Sequence, residues 1–281
     1  MKTRTARRRM TDAGVILGLT LGACTMVIPF LWMVSTSLKS SASVFAYPPQ
    51  WIPNPVQWHN LVDVWSAAPL VRGLLNSVLV TGSVVVIGLF TSTMAAFAFA
   101  KLAIPHKELW FMAVLVILMF PIVLMVIPQF LMYSTLGWVD TLLPLIVPGA
   151  LGNAAMVFFL RQYMTGLPSE LMDSARIDGA SIPRIYWSIY LPLCKPAMAA
   201  YVIIVFMATW NQYLEPLVFT HSPEKSTVQL VVASLVSMFQ EQTNFPIVMM
   251  ASIIVILPVM ILFIALQRHF VDSFAFSGFK G

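Results

Sequence analysis

The sequence predicts an all-α, polytopic membrane protein with six transmembrane helices. Three observations carry that expectation. Only 10% of the 281 residues are Asp, Glu, Lys or Arg, against roughly a quarter in an ordinary soluble domain. Hydrophobic residues make up 59% of the chain. They gather in runs of about twenty, the length that crosses a ~30 Å hydrocarbon core as a helix. The net charge of +5 does not point to nucleic acid, because the basic residues flank apolar runs and form no stripe interleaved with aromatics. Cys24 lies in an apolar run and Cys194 in a polar interval, with no metal spacing, so both read as packing residues.

The first run, 14–35, follows a basic stretch of Lys2, Arg4, Arg7, Arg8 and Arg9. The pattern resembles a signal peptide, but the run can span and no small-residue cleavage site follows cleanly, so it reads as a retained helix. Residues 39–70 are rich in Pro and Trp, including Pro48, Pro49, Trp51, Pro53, Pro55, Trp58 and Trp65. Closely spaced prolines stop helices and Trp favours the headgroup level, so this reads as an irregular surface segment.

A second span is expected over 75–100 and a third over 109–127, the latter containing Pro121 and stopping near Pro128. A fourth, 142–160, is interrupted by Pro144, Pro148, Gly149, Gly152 and Asn153. Such breaks survive in lipid only where neighbours satisfy the freed backbone groups, which places this segment inside the protein. The fifth and sixth spans are 197–219 and 247–266. Between them 228–239 is apolar but too short to cross, fitting a re-entrant or interfacial helix. Six spans put both termini on one face, together with Lys101, Lys107, Arg161, Arg176, Arg184, Lys195, Arg268 and Lys280; only Lys39, Arg72 and Lys225 lie opposite. The positive-inside rule makes the first face cytoplasmic. The chain reads as one domain, 1–281, in the cell membrane.

The polar interval 161–196 then becomes a cytoplasmic loop. Ser169 can cap a short helix with Glu170 and Asp173 in its early turns, where negative charge suits the helix N-terminus, and Gly179 is placed to end it. Ser181 can cap a second, with Pro183 in its first turn and Pro192 closing it. Leu171, Ala175 and Asp178 fall near one face, with Met172 and Arg176 beside it. A helix this short cannot fold alone and should be docked.

The order Asp173-Ser174-Ala175, three residues, Gly179, nine residues, Ile189-x-Leu191-Pro192 resembles the cytoplasmic loop signature of the membrane subunits of binding-protein-dependent ABC importers. In that signature Glu and Ala are usual where Asp173 and Ser174 stand here. The run Ala175 to Ser181 and the ending Leu191-Pro192-Leu193-x-Lys195-Pro196 are similar to the carbohydrate-uptake branch, which includes the maltose-system permeases. So are Leu38-Lys39, Pro48-Pro49-x-Trp51-x-Pro53, Leu75-Asn76-Ser77, Trp210-Asn211-x-Tyr213-x-x-Pro216 and the tail Ser277 to Gly281.

The resemblance implies a type I ABC importer permease fold and a transport subunit that is not an enzyme. It implies that Glu170, Asp173, Ser174, Ala175, Asp178, Gly179, Ile189, Leu191 and Pro192 couple to an ATPase. The partners would be a second permease, two cytoplasmic ATPase subunits, an extracytoplasmic solute-binding protein and membrane lipid, without nucleic acid. ATP and Mg would be bound by the ATPase subunits, and no cofactor or metal by this chain. No Gly-x-x-x-x-Gly-Lys-Ser/Thr occurs in the sequence, in keeping with that division.

Trp210, Asn211, Gln212 and Glu215 in the fifth span, and Asn153 in the fourth, are candidates for the substrate path. A carboxylate near mid-bilayer costs about 2.5–3.5 kcal/mol on insertion scales, so Glu215 should meet a cavity, a partner or the interface. Amides and aromatics together suit sugar hydroxyls and ring faces; equally, Asn211 and Gln212 could join helices by hydrogen bonds. The solute stays open among carbohydrates, polyols and glycerol-phosphate compounds. The competing function is a self-sufficient carrier driven by an ion gradient, which would need buried ionisable residues in several spans.

Overall fold

The computed structural model describes the backbone of residues 2–238 and 244–278, and side chains over 14–236 and 244–268. The basic patch at 2–9, the tail residues His269, Asp272 and Lys280, and Phe239 at the end of the short apolar run therefore lie outside the described side chains. Among the described residues every regular element is helical. In chain order these are α1 (Lys2–Ser37), α2 (Asn60–Ala67), α3 (Leu70–Lys101), α4 (Lys107–Val116), α5 (Ile122–Thr135), α6 (Leu143–Ala150), α7 (Ala154–Thr165) and α8 (Glu170–Ile177). There follow α9 (Ile182–Ile185), α10 (Leu191–Leu193), α11 (Lys195–Trp210), α12 (Leu214–Phe219), α13 (Val228–Met238) and α14 (Phe245–Gly278). Gly14–Ser37, Leu70–Lys101, Leu143–Thr165 and Phe245–Arg268 are long and apolar enough to cross a membrane, and counting each of two bent pairs as one span raises the number to six.

The sequence reading takes 1–281 as one domain; the residues pack as two compact units, 1–68 with 232–254 and 69–231 with 255–281. In the first unit, the segment expected to be irregular contains α2, whose Asn60 side chain donates to the carbonyls of Ser37 and Lys39 at 2.8 and 3.1 Å. Those bonds tie the exit of α1 to the start of α2. Lys39 is 1% exposed with its ammonium 4.0 Å above the Trp32 ring, and burial pushes its pKa down. Trp32 in turn meets Trp51 edge to face at 5.0 Å.

In the second unit α3 is the central rod, packed by α6, α7 and α11. The close approach of α6 depends on glycine. A Cβ at Gly149 would meet Val84 Cγ1 at 2.8 Å, and one at Gly88 would meet the Gly149 carbonyl oxygen at 2.8 Å. Of the interruptions expected in 142–160, Pro144, Pro148 and Gly149 lie inside α6, where Pro144 stands in the first turn and needs no N–H partner; the break itself is the gap 151–153 between α6 and α7, with Gly152 at φ 121°. There α3 supplies the missing partners: Thr91 Oγ1 donates to the Ala150 carbonyl at 2.8 Å and Ser92 Oγ accepts from the Asn153 N–H at 3.4 Å. Backbone groups freed at the break are thus met by α3, as backbone in lipid requires.

Three expected boundaries move. Within 109–127 the two prolines exchange roles: the helix stops at Phe120-Pro121 and turns through 99°, while Pro128 lies inside α5. Phe120 adopts the extended conformation that a following proline favours, at φ −87° and ψ 120°. The segment 197–219 is also divided, α11 ending at Trp210 and α12 resuming at Leu214 across the polar residues Asn211 to Tyr213. Third, Pro192 does not close the second loop helix. A π turn at Tyr186–Tyr190, with the Leu191 N–H bonding the Tyr186 carbonyl, carries the helix through Pro192 to Leu193, and the chain then bends by 76° into α11.

At the other end of α3, Asn76 donates to the carbonyls of Glu224 and Ser226, both at 2.9 Å, and Ser77 Oγ accepts the Val228 N–H at 2.9 Å. Loop 220–227 is held from another side by Asp140, which sits at φ 61° and accepts from the backbone N–H groups of His221 and Ser222 at 2.9 and 2.8 Å and from the Ser222 hydroxyl. These donors lower the Asp140 carboxyl from the ordinary 3.8 to about 2, the Ser222 hydroxyl contributing most. The latch is therefore complete above about pH 4 and is lost as pH falls through about 2. Amide exchange at 220–227 is expected to be faster in Asp140→Ala than in the unaltered chain at pH 5, the gap closing as pH drops through 2.

Candidate coupling site

Between α7 and α11 the chain makes one short helix, α8, and returns through α9, the π turn and α10. Neither serine caps through its side chain: Ser169 uses its backbone carbonyl, accepting from Met172 N–H at 2.9 Å and Asp173 N–H at 3.3 Å, and Ser181 precedes α9 in an extended conformation. Glu170 and Asp173 occupy the first turn and Arg176 the last, each with the sign that suits the helix dipole. Gly179 ends α8 at φ 75°. Its N–H bonds the Arg176 carbonyl at 3.0 Å and the Ala180 N–H bonds the Ala175 carbonyl at 2.9 Å, the paired bonds of a Schellman stop.

The helix has two faces of different character. Met172 and Ala175, three residues apart and so on one side, are buried in a core that also contains Ala96 and Phe97 of α3, Leu160 and Met164 of α7, and Ile185, Tyr186 and Tyr190 behind α8. Phe97 packs against the rings of Tyr186 and Tyr190 at 5.4 and 5.2 Å, and Thr93 and Tyr186 share a 2.8 Å hydrogen bond. The outer face carries Glu170, Asp173, Ser174, Arg176, Asp178 and Gly179, all exposed. Among them stands Ile177, 87% exposed.

Of the nine residues expected to couple, five lie on this presented surface: Glu170, Asp173, Ser174, Asp178 and Gly179. Ala175 is turned inward, because a small side chain three residues from Met172 lets the helix seat on the core. Ile189 and Leu191 pack against the same core, and Pro192 is exposed on the return helix. Sequence reasoning missed Ile177. Its signal was an isoleucine off the Met172/Ala175 stripe, between Arg176 and Asp178.

The substrate-path candidates divide. Trp210 is 2% exposed, stacks on Phe206 at 5.4 Å and donates to the Val255 carbonyl at 3.1 Å, so it joins α11 to α14 and presents no free group. Asn153 caps α7, its side-chain oxygen accepting from Met156 N–H at 3.2 Å. Asn211 is exposed at the break after α11, and its side-chain oxygen accepts from Gln229 Nε2 at 3.1 Å. Gln212 and Glu215 are half-buried beside it. Asn211 and Gln229 form an amide pair that the sequence alone did not assemble, and Tyr213, two residues after Asn211, is exposed.

Comparison with known proteins agrees with this architecture. Residues 88–275 match the family described as binding-protein-dependent transport system inner membrane component. The chain is 33% identical over 94% of its length, and 95% of the relative's, to the arabinooligosaccharides transport system permease protein AraQ of Halalkalibacterium halodurans. It is 31% identical to the sn-glycerol-3-phosphate transport system permease protein UgpE of Yersinia pestis, covering 94% of this chain and 96% of that one. The lactose transport system permease protein LacG of Rhizobium radiobacter is also 31% identical, with 96% and 97% covered. In fold, the chain is similar to a crystal structure of a bacterial ABC transporter involved in the import of the acidic polysaccharide alginate, with a TM-score of 0.78, 23% identity and 92% and 96% of the two chains covered. None of these supports the self-sufficient carrier. With only helices as regular elements among the described residues, up to six spans, and relatives along nearly its whole length among importer permeases, the chain belongs to the binding-protein-dependent transport inner-membrane component family and is a membrane-spanning permease subunit of an ABC importer.

Proposed function

We propose that the outer face of α8 docks on a cytoplasmic ATPase subunit and that the solute is a carbohydrate. The observation that carries the docking is the two-faced helix: Met172 and Ala175 fasten α8 to this chain's core, while Ile177 and the acidic residues around it are presented outward. An apolar side chain 87% exposed on a polar loop contributes about 1.5–3 kcal/mol when a partner buries it. The assembly would comprise this permease, a second permease, two ATPase subunits that bind ATP and Mg, and an extracytoplasmic solute-binding protein, with this chain hydrolysing nothing itself. Both termini would lie in the cytoplasm, following the distribution of Lys and Arg.

For the solute, relatives are named for arabinooligosaccharide, lactose and glycerol-phosphate transport. The uncharged amide pair Asn211 and Gln229 suits sugar hydroxyls and an exposed ring such as Tyr213 suits sugar ring faces, while Arg72 already donates through Nε to the Glu224 carbonyl at 3.3 Å. These favour a neutral carbohydrate over a phosphate ester.

Co-purification tests the docking. Ile177→Asp is expected to leave the permease pair intact in the membrane and to reduce recovery of the ATPase subunits about tenfold or more, the scale of losing one buried aliphatic anchor. Full recovery of the ATPases with Ile177→Asp would refute docking through this face. Proteoliposomes containing the whole assembly, given labelled arabinotriose, lactose or glycerol 3-phosphate, test the solute; ATP-dependent uptake of the phosphate ester alone would reject the neutral-sugar reading.

A further inference from the structure

Just ahead of α8 the chain is tied to α3 by a polar contact. Lys101, the last residue of α3, extends its ammonium to the carbonyl of Leu167 at 2.8 Å, with the Tyr190 ring centroid 5.4 Å from the nitrogen. Leu167 stands just beyond the C-terminal end of α7 and two residues before Ser169, where α8 begins. The donor is an ammonium, which makes this bond to the Leu167 carbonyl charge-assisted. A displacement of α8 that carries Leu167 with it loads this bond, alongside the apolar seat of Met172 and Ala175 on the core that includes Ala96 and Phe97 of α3.

What Lys101 grips with is equally relevant. The helix α3 runs for 32 residues, about 48 Å at 1.5 Å per residue. Its opposite end holds loop 220–227 through Arg72 and Asn76, and the first residue of α13, Val228, through Ser77. Between the two ends it packs closely against α6 at Gly88 and against α7 and α11. One helix thus joins the backbone ahead of α8 to the loop at the far end of the unit. Rigid elements fastened at both ends are how a local displacement reaches a distant site.

We propose that Lys101 is a positioning residue of the transport cycle: its bond to the Leu167 carbonyl converts displacement of α8 into movement of α3 and so of loop 220–227. The inference rests on α8 being the ATPase-docking element. Arg161, which bonds Glu108 at 2.6 Å and the Phe99 carbonyl at 3.4 Å, ties α7 to the neighbouring ends of α3 and α4 but does not reach the backbone before α8. It supplies a comparison in the same region.

The test uses the assembled importer and reads amide exchange at 220–227 with and without nucleotide trapped as ADP and vanadate on the ATPase subunits. In the unaltered complex trapping is expected to change exchange in that loop. In Lys101→Met the change should shrink to about a tenth or less, the scale of losing one charge-assisted hydrogen bond, while the ATPases still co-purify. Lys101→Arg should restore most of it, and Glu108→Gln should leave it within about twofold, since that bond is exposed at the carboxylate. A full-sized change in Lys101→Met overturns the proposal, as does an unaltered complex in which trapping changes nothing at 220–227 although the ATPases are bound. If Lys101→Met fails to assemble, Lys101→Gln is judged by the same criteria, and failure of both to assemble overturns the proposal by making Lys101 a folding residue. Failure of the ATPases to bind the unaltered chain would instead refute the docking reading.

Discussion

Replacing Gly179 with valine is expected to abolish transport while the chain still inserts and accumulates. The space around Gly179 is open, with nothing within 4 Å of a built Cβ, so no clash enters the argument. Backbone conformation decides it. At φ 75° an L-residue is in the left-handed region, which costs roughly 1–2 kcal/mol and more for a β-branched side chain. An eight-residue helix has little cooperativity to resist that strain. The chain relieves it by giving up the bonds from Gly179 and Ala180 to the carbonyls of Arg176 and Ala175, which unwinds the last turn and displaces Ile177 and Asp178. Insertion depends on the apolar spans and is untouched. Gly179→Asn, which tolerates the left-handed region, should retain more transport than Gly179→Val. Uptake normalised to the amount of chain in the membrane checks both, and normal uptake by the valine variant would sink the coupling assignment.

A larger effect on the fold itself is expected at Gly88, where leucine should prevent accumulation of the folded chain. A Cβ there would lie 2.6 Å from the Tyr201 hydroxyl and 2.8 Å from the Gly149 carbonyl oxygen. The second neighbour is backbone in a helix already pressed against Val84, so neither α3 nor α6 can retreat locally. Overpacking a close contact costs about 1–3 kcal/mol even where flexible side chains can move; here two helices must separate. Gly88→Ala should show the same defect in smaller degree. Gly82→Leu, on the same helix but with nothing within 4 Å, should accumulate normally. Quantifying membrane-embedded protein for the three variants checks the ordering, and normal accumulation of Gly88→Leu would refute the close crossing.

The membrane class, the apolar segments and the short helix ended by Gly179 were legible without coordinates, because each rests on local properties. Hydropathy over about twenty residues sets whether a segment can span, and a glycine after a short amphipathic run is needed wherever the backbone turns left-handed. The ordered residues from Asp173 to Pro192 also identified the relatives that comparison then supplied. Local signals did less well where a neighbour chooses among permitted outcomes. Pro121 and Pro128 are both legal helix breakers, and the 99° turn came at the first. A π turn let the helix run past Pro192.

The sequence by itself determined that this chain lives in a membrane and carries a short polar helix ended by a glycine, since composition, span length and the sign of a backbone angle are carried by neighbouring residues. Only the tertiary structure decided which side of that helix is exposed. Met172 and Ala175 face inward because a core assembled from α3, α7 and the return helix receives them, leaving Ile177 outside. In the same way Trp210 became a joint between α11 and α14, and Asp140 a latch on a loop 81 and 82 residues away. Lys101 meets Leu167 across 66 residues of sequence. Such contacts depend on how helices far apart in the chain are brought together, and no periodicity or spacing within a single segment encodes them.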